Sequence, residues 1–321
     1  MFEKPVSPDG SVVRELRRAD LPSFLRVLRL GIGELERATG LDASAEGSFD
    51  QLSRWSIWFL YRLSLLVGRP FVEIFVLAKE NDIRATGTLV WLPKAGYVAG
   101  IATDHPYRGR GYASRVLDAQ VQRAARRKRG WLLLDVESEN RAAISVYHKA
   151  GYREVGTVAW YRRAGVPPAG ATASDGVHIA AKNEFSGLSS RIDSVRPKDL
   201  RSAVPATARL LTHAELLAIG RGAEKATWVG GRGPEGSAVL RAYFLASYRI
   251  AMFFPVPAAP NVTADEYARL LNVGGEWLRS RAPTNCVAAV FEPTAALDSA
   301  LTAAGFARVV SSTAMVRPIG S

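Results

Sequence analysis

The sequence predicts a mixed α/β protein of two similar domains in tandem, each a central mixed β-sheet flanked by helices. Three observations support this expectation. Strand-like runs at 72–78, 83–91 and 97–103 follow one another and then give way to a strand, helix, strand, helix order. A turn rich in glycine and arginine stands between residue 103 and the next helix. The second half of the chain then repeats features of the first.

In chain order, residues 12–17 read as an opening strand. Ala19-Asp20-Leu21-Pro22 caps a helix, with Pro22 tolerated in its first turn. Leu25, Leu28, Ile32 and Leu35 give that helix one apolar face. A Gly-, Ser- and Asp-rich loop at 40–50 leads to an aromatic run at 55–67. Trp55, Trp58 and Tyr61 in that run have the spacing of core aromatics. The run is shorter than the ~20 residues of a membrane span and Arg62 interrupts it, so no membrane crossing is expected. Lys79-Glu80-Asn81-Asp82 is a polar connection between two strands.

The turn Asp104-His105-Pro106-Tyr107-Arg108-Gly109-Arg110-Gly111-Tyr112-Ala113-Ser114 follows. Val116, Leu117, Val121, Ala124 and Ala125 then recur at helical spacing. Gly109 and Gly111 remove side chains that would hold a ligand off the backbone. The first amides of the helix have no internal acceptor and lie at the positive end of its dipole. Arg108 and Arg110 add full charges, so the turn suits a diphosphate. A second strand at 131–136 and a helix ending near Gly151-Tyr152 come next.

Arg108-x-x-Gly111-x-Ala113 resembles the pyrophosphate motif R/Q-x-x-G-x-G/A of the GNAT superfamily of acetyl-coenzyme-A-dependent N-acetyltransferases. Asn140 through Tyr147 to Gly151-Tyr152 matches that family's N-x-x-A-x-x-x-Y-x-x-x-G-F/Y pattern. The resemblance covers roughly residues 11–163. It implies a fold in which the fourth and fifth strands splay and pantetheine enters between them. The cofactor-binding residues it implies are Ile101, Thr103, Arg108, Gly109, Arg110, Gly111, Tyr112, Ala113, Ser114, Asn140 and Tyr147. It also implies acetyl-CoA as co-substrate, a primary amine as acceptor, and an acceptor pocket framed by the first two helices and their loop, with Trp55, Trp58 and Tyr61 as candidates for its wall. The acceptor could be a small molecule, a lysine or a peptide N-terminus.

Acetyl transfer to an amine needs a base for the ammonium proton and an acid for the departing thiolate. The resemblance implies Tyr147 as the acid. Leu134-Asp135-Val136, with Asn140 and Tyr147, is similar to the L-E-V…N…Y arrangement of ribosomal-protein N-terminal acetyltransferases, whose catalytic glutamate falls at Asp135. Glu137 shares its strand face and is the reserve base, with Asp104 a third. Asn140 also suits a helix N-cap. The alternative to an enzyme is a non-catalytic acyl-CoA-binding regulatory protein.

The organisation expected is a catalytic domain over 1–163, a linker and closing strand over 164–190, and a degenerate GNAT-like domain over 191–321. The linker begins with a Pro-, Gly- and Ala-rich stretch at 164–176. Residues 194–200 parallel residues 15–21, the strand at 286–291 parallels 132–136, and 300–310 parallel 147–155. Thr263 caps a helix with Glu266. No phosphate turn precedes that helix: the strand at 248–254 runs into Pro255, Pro257 and Pro260, which lack amide donors.

The 321 residues, 48% hydrophobic, allow each half its own core. A single cysteine, Cys286, excludes an internal disulfide and a cysteine metal cluster, and suits a reducing cytoplasm. Cys286 opens an apolar strand and is a poor nucleophile. The four histidines are scattered, so no metal site is expected. The net charge of +12 is shared by both halves and comes without a basic-aromatic nucleic-acid motif. Its densest cluster, 123–129, reads as a solvated helix face, with a cofactor edge or an acidic partner as alternatives. Homodimer formation is left open.

Overall fold

The computed structural model describes residues 9–31, 34–40, 58, 61, 71–92, 95–168, 175–180, 185–196, 198, 201, 223–230 and 238–320. The chain divides into two compact units. One comprises Met1–Arg37, Asp42–Glu154 and Met315–Ser321, the other Ala38–Leu41 and Val155–Ala314. Each contains a mixed sheet flanked by helices, the α/β class expected.

In the first unit β1 (Val12–Glu15), β2 (Val72–Lys79), β3 (Asp82–Trp91) and β4 (Ala95–Thr103) form an antiparallel series. β5 (Trp131–Glu137) is parallel to β4. The helices are α1 (Leu21–Arg29), α2 (Glu34–Thr39), α3 (Tyr112–Arg126) and α4 (Arg141–Lys149). β2 is buried on both faces, which explains its nearly unbroken apolar run. Phe75 and Leu77 join the core under α3, whereas Ile74, Val76 and Ala78 join a second core with Phe24 and Val27 of α1. Trp58 and Tyr61 pack into this second core, and the Tyr61 hydroxyl accepts the Ile74 N–H at 3.2 Å. Trp55 lies outside the described residues.

Two local expectations are corrected. Asp20 precedes α1 but makes no side-chain cap on it. Its carboxylate instead accepts from the Arg14 guanidinium, at 2.8 Å to Oδ1, and from the Arg17 N–H at 2.7 Å. A buried carboxylate needs a charged partner to neutralise it, and here the Arg14 guanidinium and the Arg17 amide together occupy it. The arginine cluster on α3 is not simply a solvated face. Arg123 Nε lies 2.7 Å and Arg127 Nη2 2.6 Å from the fully buried Glu73 carboxylate, which also accepts from Trp91 Nε1 at 3.0 Å. Arg123 also pairs with Glu15.

The second unit holds β7 (Val177–Ile179), α5 (Phe185–Val195), β8 (Glu224–Gly230), β9 (Ala238–Leu245), β10 (Ile250–Pro257), α6 (Ala264–Arg279), β11 (Asn285–Phe291) and α7 (Ala295–Ala303). β7 to β10 are antiparallel in order, and β11 is parallel to β10. The series β8-β9-β10-α6-β11-α7 reproduces β2-β3-β4-α3-β5-α4. After α4 and after α7 alike comes a left-handed glycine, Gly151 at φ 80° and Gly305 at φ 79°, then a buried aromatic, Tyr152 or Phe306. The strand beside β8, in the place that β1 takes beside β2, is β7. Ser194 and Val195 end a helix instead of opening a strand. Pro197, Asp199 and Leu200 lie outside the described residues. β10 continues through Pro255 and Pro257, beyond the expected end of that strand. Its pairing with β11 stops at Phe253, so on that side these prolines forfeit no ladder bond.

Neither unit is one continuous stretch. β6 (Arg153–Ala164) lies almost wholly in the second unit, antiparallel to β11. β12 (Ala307–Pro318) begins in the second unit, where Trp160 Nε1 of β6 donates to Ser312 Oγ at 3.0 Å, and ends in the first. There Met315 is buried in the core with Leu132, Leu134 and Tyr147, and the Ile319 N–H donates to Gly130 at 2.8 Å. The first unit is therefore completed by the last residues of the chain. Among the described residues no helix is long and apolar enough to cross a membrane, and no group of histidine, cysteine and acidic residues could hold a metal ion.

A core role for the C-terminal strand predicts that Met315→Ala destabilises the protein by about 2–5 kcal/mol. Deleting residues 315–321 should cost more and expose Tyr147 and Tyr152. Denaturant unfolding followed by tyrosine fluorescence would measure both effects; stability unchanged by the deletion would place this strand outside the core.

Candidate functional site

The site is built where β4 and β5 part. Their parallel pairing extends only from Ala95 opposite Trp131 to Tyr97 opposite Leu133, and the carboxyl-terminal halves diverge. β4 carries an irregularity in the same half. Thr86 faces Ala102 and Thr88 faces Ala99, so Gly100 and Ile101 stand opposite the single residue Gly87. Gly100, at φ 58°, takes the left-handed conformation this bulge needs. Such a bulge releases backbone groups of Gly100 and Ile101 from the ladder, a feature not visible in the strand's alternation.

Beyond Thr103 the chain makes a 3-10 turn, His105–Tyr107, and reaches α3 through Arg108, Gly109, Arg110 and Gly111. Gly109 and Gly111 have φ of 75° and 73°, which only glycine adopts readily, and a Cβ at either would meet nothing within 4 Å. Gly111 is the N-cap of α3 and supplies no side-chain acceptor. Among the described residues, no backbone acceptor inside the chain serves the amides of 109–114. Arg108 and Arg110 are exposed, with Arg108 Nε donating to Thr103 O at 3.3 Å. Tyr112 points inward and is buried, while Ala113 and Ser114 are half-buried. An open, electropositive row of amides of this kind fits a diphosphate.

The other expected residues lie on β5 and α4. Asn140 caps α4, its Oδ1 accepting the Ala143 N–H at 3.1 Å. Tyr147 is 8% exposed, with its ring edge-on to Tyr152 at 5.8 Å. Burial, reinforced by the charge of Asp135, pushes its phenol far above the ordinary range. Asp135 and Glu137 are half-buried on one face of β5, while Leu132, Leu134 and Val136 face the core. Asp104 is paired with Arg26 at 2.6 Å. His105 is exposed, and Cys286 is fully buried with its thiol pushed up to about 12.

Residues 38–152 match the model of the acetyltransferase (GNAT) family. The fold of the chain is also similar to solved structures across most of its length. A GCN5-related N-acetyltransferase from Sphaerobacter thermophilus aligns with a TM-score of 0.61 at 13% identity, covering 98% of this chain and 97% of that one. A tandem GNAT protein from the clavulanic acid biosynthesis pathway aligns with a TM-score of 0.50 at 13% identity, covering 78% and 83%. No curated protein matches by sequence.

The equivalent of the 108–111 turn in the second unit is closed by its own side chains. α6 begins at Thr263, whose Oγ1 accepts the Glu266 N–H at 3.3 Å, while Glu266 Oε2 accepts the Thr263 N–H at 2.8 Å. This reciprocal cap engages amides that α3 leaves open, and Asp265 and Glu266 place negative charge at the same end. Around the 108–111 turn, sequence reasoning missed Asp9, Asp82 and Arg84. Their contacts with the turn span as many as 103 residues and leave no periodic signal.

The two site tyrosines make a pH prediction. Burial, and then the neighbouring Tyr147, raises the Tyr152 phenol, whose buried hydroxyl has no hydrogen-bond partner among the described residues. A folded-state value above the unfolded value leaves stability intact below about pH 10 and removes it as pH rises towards the folded value. Tyr152→Phe should be neutral or stabilising by about 1 kcal/mol at pH 7. It should also reduce the alkaline loss by up to about 1.4 kcal/mol per pH unit. Urea unfolding at pH 7 and from pH 9.5 to 11 would test this; destabilisation at pH 7 would show that the hydroxyl has a partner.

Proposed function

We propose that the protein is an acetyl-CoA-dependent N-acetyltransferase of the cytoplasm, with its catalytic copy in residues 1–163 and a degenerate copy in 191–321. The observation that carries this reading is the contrast at two equivalent helix starts: α3 is open to an anion, α6 is capped by its own residues. The diphosphate of coenzyme A would lie on the amides of 109–114 with Arg108 and Arg110, and the pantetheine would follow the gap between β4 and β5. Ile101, Thr103 and Asn140 would contact it from the two strand ends. The bound co-substrate supplies an acetyl thioester.

The acceptor is a primary amine that attacks directly, forming the C–N bond as the C–S bond breaks. Asp135, or Glu137 on the same face, takes the ammonium proton, directly or through water. Tyr147 holds its proton throughout the neutral range, because burial and the Asp135 charge oppose ionisation. It therefore starts in the protonation state an acid requires and can donate to the departing sulfur.

Two measurements test this. Gly111→Val forces a β-branched side chain into a left-handed backbone, and Arg108→Ala removes a charge-assisted contact. Both should weaken coenzyme A binding, Arg108→Ala by roughly tenfold or more. Unchanged affinity in both would place the diphosphate elsewhere. Tyr147→Phe should leave coenzyme A affinity nearly constant while lowering turnover about 10²–10⁴-fold, measured on an amine found by screening small amines and N-terminal peptides with acetyl-CoA. Parental turnover in that variant would remove Tyr147 from the chemistry. Coenzyme A binding with no turnover on any amine would favour an acyl-CoA-binding regulator.

A further inference from the structure

The segment from Arg108 to Gly111 is bracketed by two tyrosines, and both hydroxyls end on carboxylates outside the turn. Tyr107 donates to Asp82 Oδ2 at 3.0 Å, and Tyr112 donates to Asp9 Oδ2. One side chain holds both acceptors. Arg84, on β3, pairs with Asp9 through Nη1 and with Asp82 through Nε at 3.3 Å. It also donates to Ser11 Oγ at 2.9 Å and lies 4.6 Å from the centre of the Tyr107 ring. The Tyr107 and Tyr112 rings are 6.1 Å apart, and the Arg84 backbone carbonyl accepts the Asp104 N–H, where the turn begins, at 2.9 Å.

We propose that Arg84 is a positioning residue for coenzyme A, presetting the phosphate turn through Asp9 and Asp82. The inference rests on the acetyltransferase reading. A turn with two left-handed glycines and a row of unpaired amides has many conformations to lose when an anion binds. Tying down Tyr107 on one side and Tyr112 on the other removes much of that loss in advance. Arg84 does not itself serve the anion, because its charge is committed to two carboxylates. A planar guanidinium is required: it forks to two carboxylates and stacks on a ring, which a lysine ammonium cannot do together.

Calorimetry with coenzyme A, and hydrogen exchange at the amides of 109–114 without ligand, test the proposal on the full chain. Arg84→Met should weaken binding about tenfold, and Tyr107→Phe and Tyr112→Phe about threefold each. All three should speed exchange at those amides. The effect of Tyr112→Phe should largely vanish in an Arg84→Met background, which a general loss of stability would not produce. If Arg84→Met fails to fold, the two phenylalanine variants, which keep the rings, carry the test. Parental affinity and exchange in those variants, with binding still weakened in Arg108→Ala, would overturn the role of Arg84 alone. A parent protein that binds no coenzyme A would overturn this inference together with the acetyltransferase reading.

Discussion

Everything proposed for this protein depends on the amides at the start of α3 being left without an acceptor in the chain. This helix start is open to solvent, so its donors are free for water or for a ligand. Here it lies at the end of β4, where the sheet has begun to open, and two glycines keep the approach free of side chains. Two arginines beside it add charge without touching the backbone donors. The local chain has been shaped to keep its donors available, and an anion with several oxygens is the partner that matches them.

The second unit shows what the same framework looks like when that demand is absent. Its parallel strands also part, after Phe253 and Ala288. The helix that follows satisfies its own first turn through Thr263 and Glu266, and its preceding strand carries Pro255 and Pro257 where amides would otherwise be offered. What this unit retains is a packed interior. Leu240, Phe253, Tyr267 and Leu271 are buried together against the sheet, and Cys286 is sealed within the same core. Compact membership also crosses the chain order, since β6 belongs chiefly to the second unit and the end of β12 to the first. That division gives the second half a structural value that does not depend on binding anything.

The two motifs were legible because their residues are close in sequence and their spacing follows from a turn or from one helix. Arg108, Gly109 and Gly111 announce a turn, and Asn140 and Tyr147 share a helix seven residues apart. The Thr263–Glu266 cap was legible for the same reason. What could not be read were the partnerships set by sheet register and distant loops. Nothing near Glu73 indicates that Arg123 and Arg127 will cover it, so the α3 arginines read as a solvated face. Asp20 reads as a helix cap because the strand pattern at 12–17 does not show that the Arg14 guanidinium turns towards it. The bulge at Gly100 and Ile101 is a property of two strands together, and neither strand reveals it alone.

The central claim is that one helix start in this chain takes the diphosphate and its equivalent does not. Calorimetric titration of the full chain with coenzyme A measures this directly through stoichiometry. The account requires one coenzyme A per chain at saturation, and none bound tightly once Gly111→Val and Arg108→Ala are combined. A stoichiometry near two, or tight binding surviving in the combined variant, would contradict it.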